Sequence, residues 1–210
     1  LQGDWSSDVC SSDLAAQILR EISAMTTREI VGFSSESYHL ANLGVQTERD
    51  GRLTLNTSKF DAAFAANPDL LNVVFASKYS TDNDNLKVTG AANYPPVAGS
   101  YSFSFTNGDS NGTLNGETVA PTTNSAGNQV FTGSSGNAKN LSVELLSNIT
   151  TSATVRYGQS LVDKLNKYIS DITSASGAIN LRTTAINQNL SDYTDEQTDL
   201  DAKIEALTAV

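Results

Sequence analysis

The sequence is poor in the residues that enzymes and metalloproteins most often use for chemistry. Its 210 residues include a single histidine, His39, and a single cysteine, Cys10, which stand far apart in the chain. Zinc sites and nucleophile–base pairs need several such side chains close together, so the sequence lacks the groups for either. It also contains no Gly-rich phosphate loop, no G-x-S-x-G motif and no H-E-x-x-H motif. We therefore expect no enzyme activity, no metal and no cofactor.

Basic residues and long apolar runs are also scarce. The chain has 13 Lys and Arg against 23 Asp and Glu, which gives a net charge of −10. A phosphate backbone and an anionic membrane surface both attract clustered basic residues, so neither is an expected partner. No apolar run approaches the roughly 20 residues of a membrane-spanning helix. We expect no nucleic-acid partner and no membrane insertion.

The segment around Cys10 differs from the rest of the chain. The stretch GDWSSDVCSSDL, Gly3–Leu14, is polar and shows no helical period. Asp4–Leu14 can be back-translated into a common short-read sequencing adapter, whereas an ordinary Ser/Asp-rich terminus is the alternative. We interpret residues 1–14 as a short native stub followed by a translated library artefact at 4–14. Resequencing the locus would test this interpretation.

Residues 15–80 have the pattern of a helix, a β-hairpin and a helix pair. Apolar residues at helical spacing predict a helix over Leu14–Ala24. In VQTERDGRLTLN, alternating residues flank Asp50-Gly51, which predicts a hairpin with a two-residue turn. Asn56 or Thr57 can cap the next helix, and Pro68 can start the one after it. From their spacing we expect the buried face of the first helix to carry Phe60, Ala63 and Phe64, and the apolar face of the second to carry Leu70, Leu71, Val74 and Phe75.

Residues 81–150 are rich in Gly, Ser, Thr and Asn, and we predict an antiparallel β domain there. Eight of the 14 glycines lie between Gly90 and Gly136. Tyr101, Phe103 and Phe105 alternate with Ser, which is typical of a half-buried strand. Further short strands are expected around 86–88, 130–131 and 141–145, with Asn-Gly pairs in the loop after the aromatic strand.

Residues 151–210 are predicted to form a helical hairpin or coiled-coil leg, truncated at its C-terminus, with a break near Gly177. The last helix carries a heptad seam, meaning apolar residues repeated every seven positions on one face. We expect this seam to pack on a helix of this chain or of another copy. Its residues, the candidate packing and oligomer contacts, are Ile179, Thr183, Ile186, Leu190, Tyr193, Gln197, Leu200, Ile204 and Leu207.

The loop GDSNGTLNGE has the alternate oxygen ligands of a calcium-binding EF-hand at Asp109, Asn111 and Thr113. However, Leu114 stands where such a loop needs Gly, and Ala120 stands where it needs a bidentate Glu. We therefore interpret this loop as a flexible polar turn and predict no metal.

Four consecutive motifs resemble those of the flagellar hook-associated protein 2 family, the flagellar filament cap proteins. They are L-x-x-[IL]-G at Leu40–Gly44, R-D-G-x-L-x-L at Arg49–Leu55, K-[LF]-D-x-A-[LF] at Lys59–Phe64 and A-N-P-D at Ala66–Asp69. Further along, AGSYSFSFTNG and GSSGNAKNLSVEL resemble a β segment shared by hook-associated proteins and flagellins. The segment from Tyr157 to Leu207 resembles the C-terminal helices of the family.

The resemblance implies an α+β fold, with a Gly/Asn-rich antiparallel β domain, amphipathic helices and a C-terminal coiled-coil-like helical leg. It implies a secreted structural protein at the tip of the bacterial flagellar filament, where a ring-like cap promotes folding and insertion of exported flagellin and prevents its leakage. The implied partners are other copies of the chain, flagellin, other hook-associated proteins and an export chaperone. Since the family's N-terminal half and closing residues are not seen, we expect an internal fragment.

Two other classes of protein fit parts of the sequence. The chain could be a flagellin or another hook-associated filament subunit, although the block from Arg49 to Asp69 favours the cap proteins. It could also be an extracellular adhesin or a phage-tail-like binding module, with Gly/Asn-rich strands carried on a coiled coil. This module would present a ligand surface and have no effect on filament growth.

Overall fold

The computed structural model describes residues 6–48, 52–68, 70–147 and 150–209, and side chains from residue 13 onward. It has a mixed α+β fold in which the paired strands are antiparallel, which confirms the expected fold class. The described residues divide into two units. One unit is Ile18–Lys164, and the other combines Leu1–Gln17 with Leu165–Val210.

The helices agree with the periodicity of the sequence, except that the first is longer than predicted. They are α1 Ser6–Thr27, α2 Thr57–Ala66, α3 Leu70–Phe75, α4 Leu161–Thr173 and α5 Ala178–Thr208, with a short 3₁₀ helix at Leu40–Leu43. Helix α1 therefore begins within the adapter-like residues, and the origin of Asp4–Leu14 stays a prediction. The cap predicted for α2 is confirmed, because the Asn56 side chain accepts a hydrogen bond from the Lys59 backbone N–H at 3.0 Å.

The predicted hairpin is present, but its register differs from the prediction. Strand β1 (Val45–Thr47) pairs with β2 (Leu53–Leu55), with Thr47 opposite Leu53. The Glu48 N–H donates to the Arg52 carbonyl at 2.8 Å. This register excludes a two-residue turn at Asp50-Gly51, which would place Thr47 opposite Thr54. Residues 49–51 themselves lie outside the described part of the chain.

A small apolar core lies between the hairpin, the 3₁₀ helix and helices α2 and α3. Its buried residues are Ile30, Leu40, Leu43 and Val73. The prediction for the apolar faces of α2 and α3 was wrong in part, because Phe64 and Phe75 are exposed while Val73 is buried. Helix α3 has six residues, most of them apolar, and only Val73 among them is buried.

The β domain consists of two antiparallel sheets. Their strands are β3 Lys78–Thr81, β4 Leu86–Gly90, β5 Gly99–Phe105, β6 Gly112–Leu114, β7 Glu117–Val119, β8 Thr122–Thr123, β9 Gln129–Thr132, β10 Leu141–Leu145 and β11 Thr151–Gly158. One sheet has the order β3-β11-β5-β6-β7, and the other has the order β4-β10-β9-β8. The chain crosses between the sheets after β3, after β4, after β7 and after β10.

The inner faces of the two sheets form the main core. Phe103 and Phe105 from the first sheet contact Phe131 from the second, with ring centroids 5.3 and 5.1 Å apart. Phe131 is fully buried, and burial of such a ring contributes about 1.5–3 kcal/mol. Alternate residues of β5 and β10 are buried, as predicted from their alternating sequence.

Two strands of the first sheet lie outside the segment predicted to be β-structured. Strand β11 falls in the segment 151–210 predicted as helical, and most of β3 falls in the segment 15–80. Strand β11 pairs over seven residues with β5, which would otherwise be an exposed edge, and β3 pairs with the other side of β11. The helical segment therefore begins at Leu161, while the domain boundaries as such stay a prediction.

The Asn-Gly loop predicted after the aromatic strand is more ordered than expected. Strands β6 and β7 form a hairpin whose turn is Asn115-Gly116, with φ of 52° and 81°. Both positive angles are those of a type I′ turn, which Asn-Gly favours. The interpretation of GDSNGTLNGE as a flexible polar turn was therefore wrong for residues 112–117, which form β6, the two-residue turn and the start of β7.

Candidate functional site

The predicted heptad seam lies on a helix that exposes it along its whole length. Helix α5 has 31 residues, so it is about 46 Å long. All nine seam residues are exposed to solvent. Among the apolar ones, the exposed fraction of the residue ranges from 37% at Ile179 to 79% at Leu207. An uncovered apolar stripe of this length is typical of a surface that binds another helix.

One polar residue of this seam, Thr183, already makes a hydrogen bond within its own helix. The Thr183 hydroxyl donates to the Ile179 carbonyl of its own helix at 3.0 Å. Thr194, beside the seam, donates to the Leu190 carbonyl in the same way at 2.8 Å. Because the donors are satisfied within the helix, a partner can cover these hydroxyls without leaving them unpaired.

A tight corner sets the start of α5. The Asn180 side-chain amide donates to the carbonyls of Thr173 and Ser174 at 2.9 and 2.8 Å, which lie at the end of α4. The Gly177 N–H donates to the Ser174 carbonyl at 2.8 Å. A Cβ atom on Gly177 would lie 2.4 Å from the Asp171 carbonyl oxygen, so the corner requires glycine. The break predicted near Gly177 is therefore confirmed, and its cause is close packing of two backbones.

A polar network ties the first turn of α4 to the residues just before β3. The fully buried Ser160 caps α4, because its hydroxyl accepts the Asp163 N–H at 3.1 Å. Asp163 in turn accepts hydrogen bonds from the backbone N–H and the hydroxyl of Ser77. These bonds, above all the one from the Ser77 hydroxyl, hold the pKa of Asp163 below its usual value. The Ser160 N–H also donates to Ser77 Oγ at 3.0 Å.

A second exposed apolar surface is the loop between β4 and β5. Tyr94 is 76% exposed and Val97 is 56% exposed. The loop backbone is nevertheless fixed, because the Val97 N–H donates to the Asn137 carbonyl at 3.0 Å and the Asn140 amide donates to the Tyr94 carbonyl at 2.8 Å. A loop whose backbone is already held loses less conformational entropy when it binds, and tyrosine is a frequent anchor in protein interfaces.

Sequence reasoning did not find this loop. Its residues, from Ala91 to Ala98, have no apolar period, and Pro95-Pro96 predicts only an irregular connection. The position of Tyr94 depends on hydrogen bonds from a distant loop around Asn137 and Asn140, and no local pattern reports such contacts.

A third apolar surface lies on the small subdomain formed by the hairpin and helices α2 and α3. Leu53 and Leu55 on β2 are each 51% exposed. Phe60 and Phe64 on α2 stack with ring centroids 6.3 Å apart, and they line a shallow apolar cleft between α2 and α3. This cleft has no polar group to orient a small molecule.

The structure also bears on metal and membrane binding. Within the described residues, no group of three or more His, Cys, Asp or Glu side chains is placed to hold a metal ion. None of the helices in the described part of the chain is long and apolar enough to cross a membrane. The candidate calcium ligands Asp109, Asn111 and Thr113 lie on an exposed loop and on the edge of the β6–β7 hairpin.

These features define a structural protein with a β-sandwich, rigid exposed loops and a long helix whose apolar seam is uncovered. The family model for the C-terminus of flagellar hook-associated protein 2 matches residues 6–210, and the chain therefore belongs to that family. This confirms the resemblance seen in the sequence motifs. Comparison with curated proteins and with solved structures found no match.

The family gives the chain its place in the cell and its general role. Its members are exported structural proteins of the bacterial flagellum, and they act in the cap at the filament tip. The family implies an oligomeric cap that contacts flagellin and other flagellar components.

Proposed function

We propose that this chain is the part of a filament cap subunit that joins the subunit's helical leg to its β domain. In this role it promotes folding and insertion of exported flagellin and prevents flagellin from leaking into the medium. The observation that carries the proposal is the uncovered heptad seam of α5, in a chain that belongs to a cap family. A helix with such a seam is incomplete without a partner helix.

The proposed partner of the seam is a helix from the same subunit or from a neighbouring copy. The seven-residue repeat from Ile179 to Leu207 predicts a left-handed supercoil. Polar residues at Thr183 and Gln197 then specify the register, at some expense in stability. A fixed register would hold the leg of every copy at the same position along its partner helix.

The β domain is the proposed site of contact between copies in the cap. The loop carrying Tyr94 and Val97 is exposed, apolar and held by hydrogen bonds, which are the properties of an interface anchor. The partners in this proposal are other copies of the chain, flagellin, other hook-associated proteins and, before export, a chaperone.

The experiment compares two leucines on α5 that differ in their relation to the seam. Leu190 lies in the seam and is 63% exposed, whereas Leu181 lies outside it and is 60% exposed. We expect Leu190→Asp to disrupt the leg, because it places a charge where a partner helix would bury it. Leu181→Asp adds the same charge on the same helix, so it is the matched control.

Both variants would be made in the complete gene and expressed in flagellated cells that lack their own matching cap protein. Filament length and flagellin leaked into the medium would be measured. We expect long filaments and little leakage with the unchanged protein and with Leu181→Asp, and short filaments with heavy leakage with Leu190→Asp. Heavy leakage with all three proteins, despite their secretion, would favour a filament subunit or an adhesin. Equal activity of the two variants would exclude the seam as a packing surface.

A further inference from the structure

Three Asn-Gly pairs occur within ten residues of the β domain, and the structure gives each of them a different backbone environment. They are Asn107-Gly108, Asn111-Gly112 and Asn115-Gly116. All three asparagines are exposed to solvent. Their local sequences are alike, so differences in chemical reactivity between them must come from the fold.

Asn-Gly pairs are prone to spontaneous deamidation. The backbone nitrogen of the glycine attacks the side-chain amide carbon of the asparagine, a C–N bond forms, and the side-chain nitrogen leaves as ammonia with the proton released by the backbone N–H. Water then opens the resulting succinimide ring at either carbonyl, which produces aspartate or isoaspartate. Glycine favours the attack because it has no Cβ atom to hinder it. Water is the one co-reactant.

The fold blocks this reaction at Asn111. Gly112, which would supply the attacking nitrogen, is buried in β6 and pairs with Val119 on β7. A Cβ atom at Gly112 would lie 2.9 Å from the Phe131 ring and 3.1 Å from the Ser104 carbonyl oxygen, so the backbone has no room to move. Ring closure at this pair requires the hairpin to open first.

The fold leaves the reaction open at Asn107. This pair lies in an exposed turn closed by a hydrogen bond of 3.0 Å from the Asp109 N–H to the Thr106 carbonyl. Gly108 has φ of 98° and no atom within 4 Å of an added Cβ. The Asn107 backbone N–H donates to the Thr150 hydroxyl at 2.9 Å, but among the described residues neither the Gly108 N–H nor the Asn107 side chain has a hydrogen-bond partner. Both reacting groups are therefore free to approach each other.

Asn115 is an intermediate case. Its pair forms the two-residue turn of the β6–β7 hairpin, with no atom within 4 Å of an added Cβ at Gly116. However, the residues on either side of this pair, Leu114 and Glu117, are opposite each other in the β6–β7 ladder, and Leu114 is fully buried. The turn is therefore exposed but held by paired strands at both ends, unlike the turn at Asn107.

We propose that Asn107 is a site of spontaneous deamidation in the folded protein, that Asn115 reacts more slowly, and that Asn111 is protected. Each event adds one negative charge to a chain that already carries −10. Isoaspartate also lengthens the main chain by one carbon. The exposed turn at Asn107 absorbs this change, whereas at Asn115 it would disturb the register of β6 and β7. An exported protein has no access to the repair enzymes of the cell, so the modified turn would accumulate with age.

The test uses the full chain, incubated folded and, in parallel, unfolded in urea, in a mildly alkaline buffer. Samples taken over time would be digested, and mass spectrometry with peptide fragmentation would quantify aspartate and isoaspartate at each of the three positions. In the folded protein we expect Asn107 to react roughly tenfold faster than Asn111, or more, because the ladder at Gly112 must first open. In urea the three rates should become similar.

Two variants complete the test. Asn107→Gln should remove the fastest component of ammonia release, since ring closure from the longer glutamine side chain is slow, while Asn111→Gln should leave this component unchanged. Equal rates at Asn107 and Asn111 in the folded protein would overturn the proposal. An order of reactivity that is the same in urea would also overturn it, because sequence and not fold would then control the reaction.

Discussion

At the residue scale, Gly32 lies where its backbone approaches the backbone of the β-sandwich very closely. Gly32 has φ of 89°, and a Cβ atom there would lie 1.9 Å from the Tyr157 carbonyl oxygen and 2.9 Å from the Gly99 nitrogen. Gly127 has nearly the same φ, 84°, but nothing lies within 4 Å of its Cβ position. The two residues thus separate the effect of backbone conformation from the effect of crowding.

We predict that Gly32→Ala destabilises the protein by about 3 kcal/mol or more, because strain at positive φ and a backbone clash act together. Gly127→Ala should cost about 1–2 kcal/mol, from the positive φ alone. Urea unfolding followed by fluorescence would measure both free energies. Equal losses for the two variants would show that the contact at Gly32 relaxes without penalty.

Side-chain burial was predictable where the pattern was regular and long. The alternation of Tyr101, Phe103 and Phe105 with serines placed each of them correctly in the core. Helical spacing predicted that Phe64 and Phe75 lie on the inner faces of their helices, yet both are exposed. Their helices are short, so the spacing of apolar residues does not single out one face.

At the element scale, the start of α4 depends on a carboxylate. Asp163 accepts hydrogen bonds from Ser77, and these bonds lower its pKa in the folded protein. A carboxyl group with a lowered folded pKa stabilises the fold at pH values above the ordinary aspartate pKa, about 3.9. This contribution is lost as the pH falls through the folded pKa, because the group then becomes protonated in both states.

We therefore predict that Asp163→Asn lowers the free energy of unfolding at neutral pH, and that the difference from the unchanged protein shrinks below about pH 3.9. Urea unfolding at a series of pH values would measure the difference. Asp84→Asn, which removes a carboxylate from an exposed position, is the control for the loss of one negative charge. A gap between Asp163→Asn and the unchanged protein that stays constant down to acidic pH would contradict the proposed role of the charge.

Elements differed in how well the sequence predicted them. Helix α5 and the break at Gly177 follow from a long periodic pattern and one glycine. The hairpin β6–β7 could have been predicted, since Asn115-Gly116 is a strong type I′ signal, but β6 and β7 have only three residues each. Strand β11 was missed because TSATVRYG has a weak alternation, and its central place depends on pairing with the distant β3 and β5.

At the scale of the whole molecule, both apolar cores belong to one continuous part of the chain. The sandwich core and the small core around Val73 lie entirely within Ile18–Lys164. We predict that Ile18–Lys164, expressed alone, folds and unfolds cooperatively with urea, because it keeps all of these contacts. Circular dichroism and amide dispersion in NMR spectra would check this. Lost near-UV signal with retained secondary structure would contradict it, since this is the signature of a state without fixed packing.

The fold class and the long helix were predictable from composition and period, whereas the assignment of surfaces was not. The sequence identifies the seam from Ile179 to Leu207, but it cannot identify Tyr94 as an exposed anchor. This position depends on contacts of its loop with residues 40 or more positions away, at Asn137 and Asn140. Such surfaces are set by tertiary contacts, so local sequence carries little information about them.

The network of Ser77, Ser160 and Asp163 has a mechanical consequence. The chain enters the sandwich at Lys78 and leaves it at Gly158, and these two residues face each other at one end of the β3–β11 ladder. Tension applied at those points alone would peel the two strands apart one bond at a time. The network joins the chain just outside them, between Ser77 and the first turn of α4. A force that pulls the two ends of the chain apart is therefore carried first by the hydrogen bonds of this network. The β3–β11 ladder bears the force only after these bonds have broken.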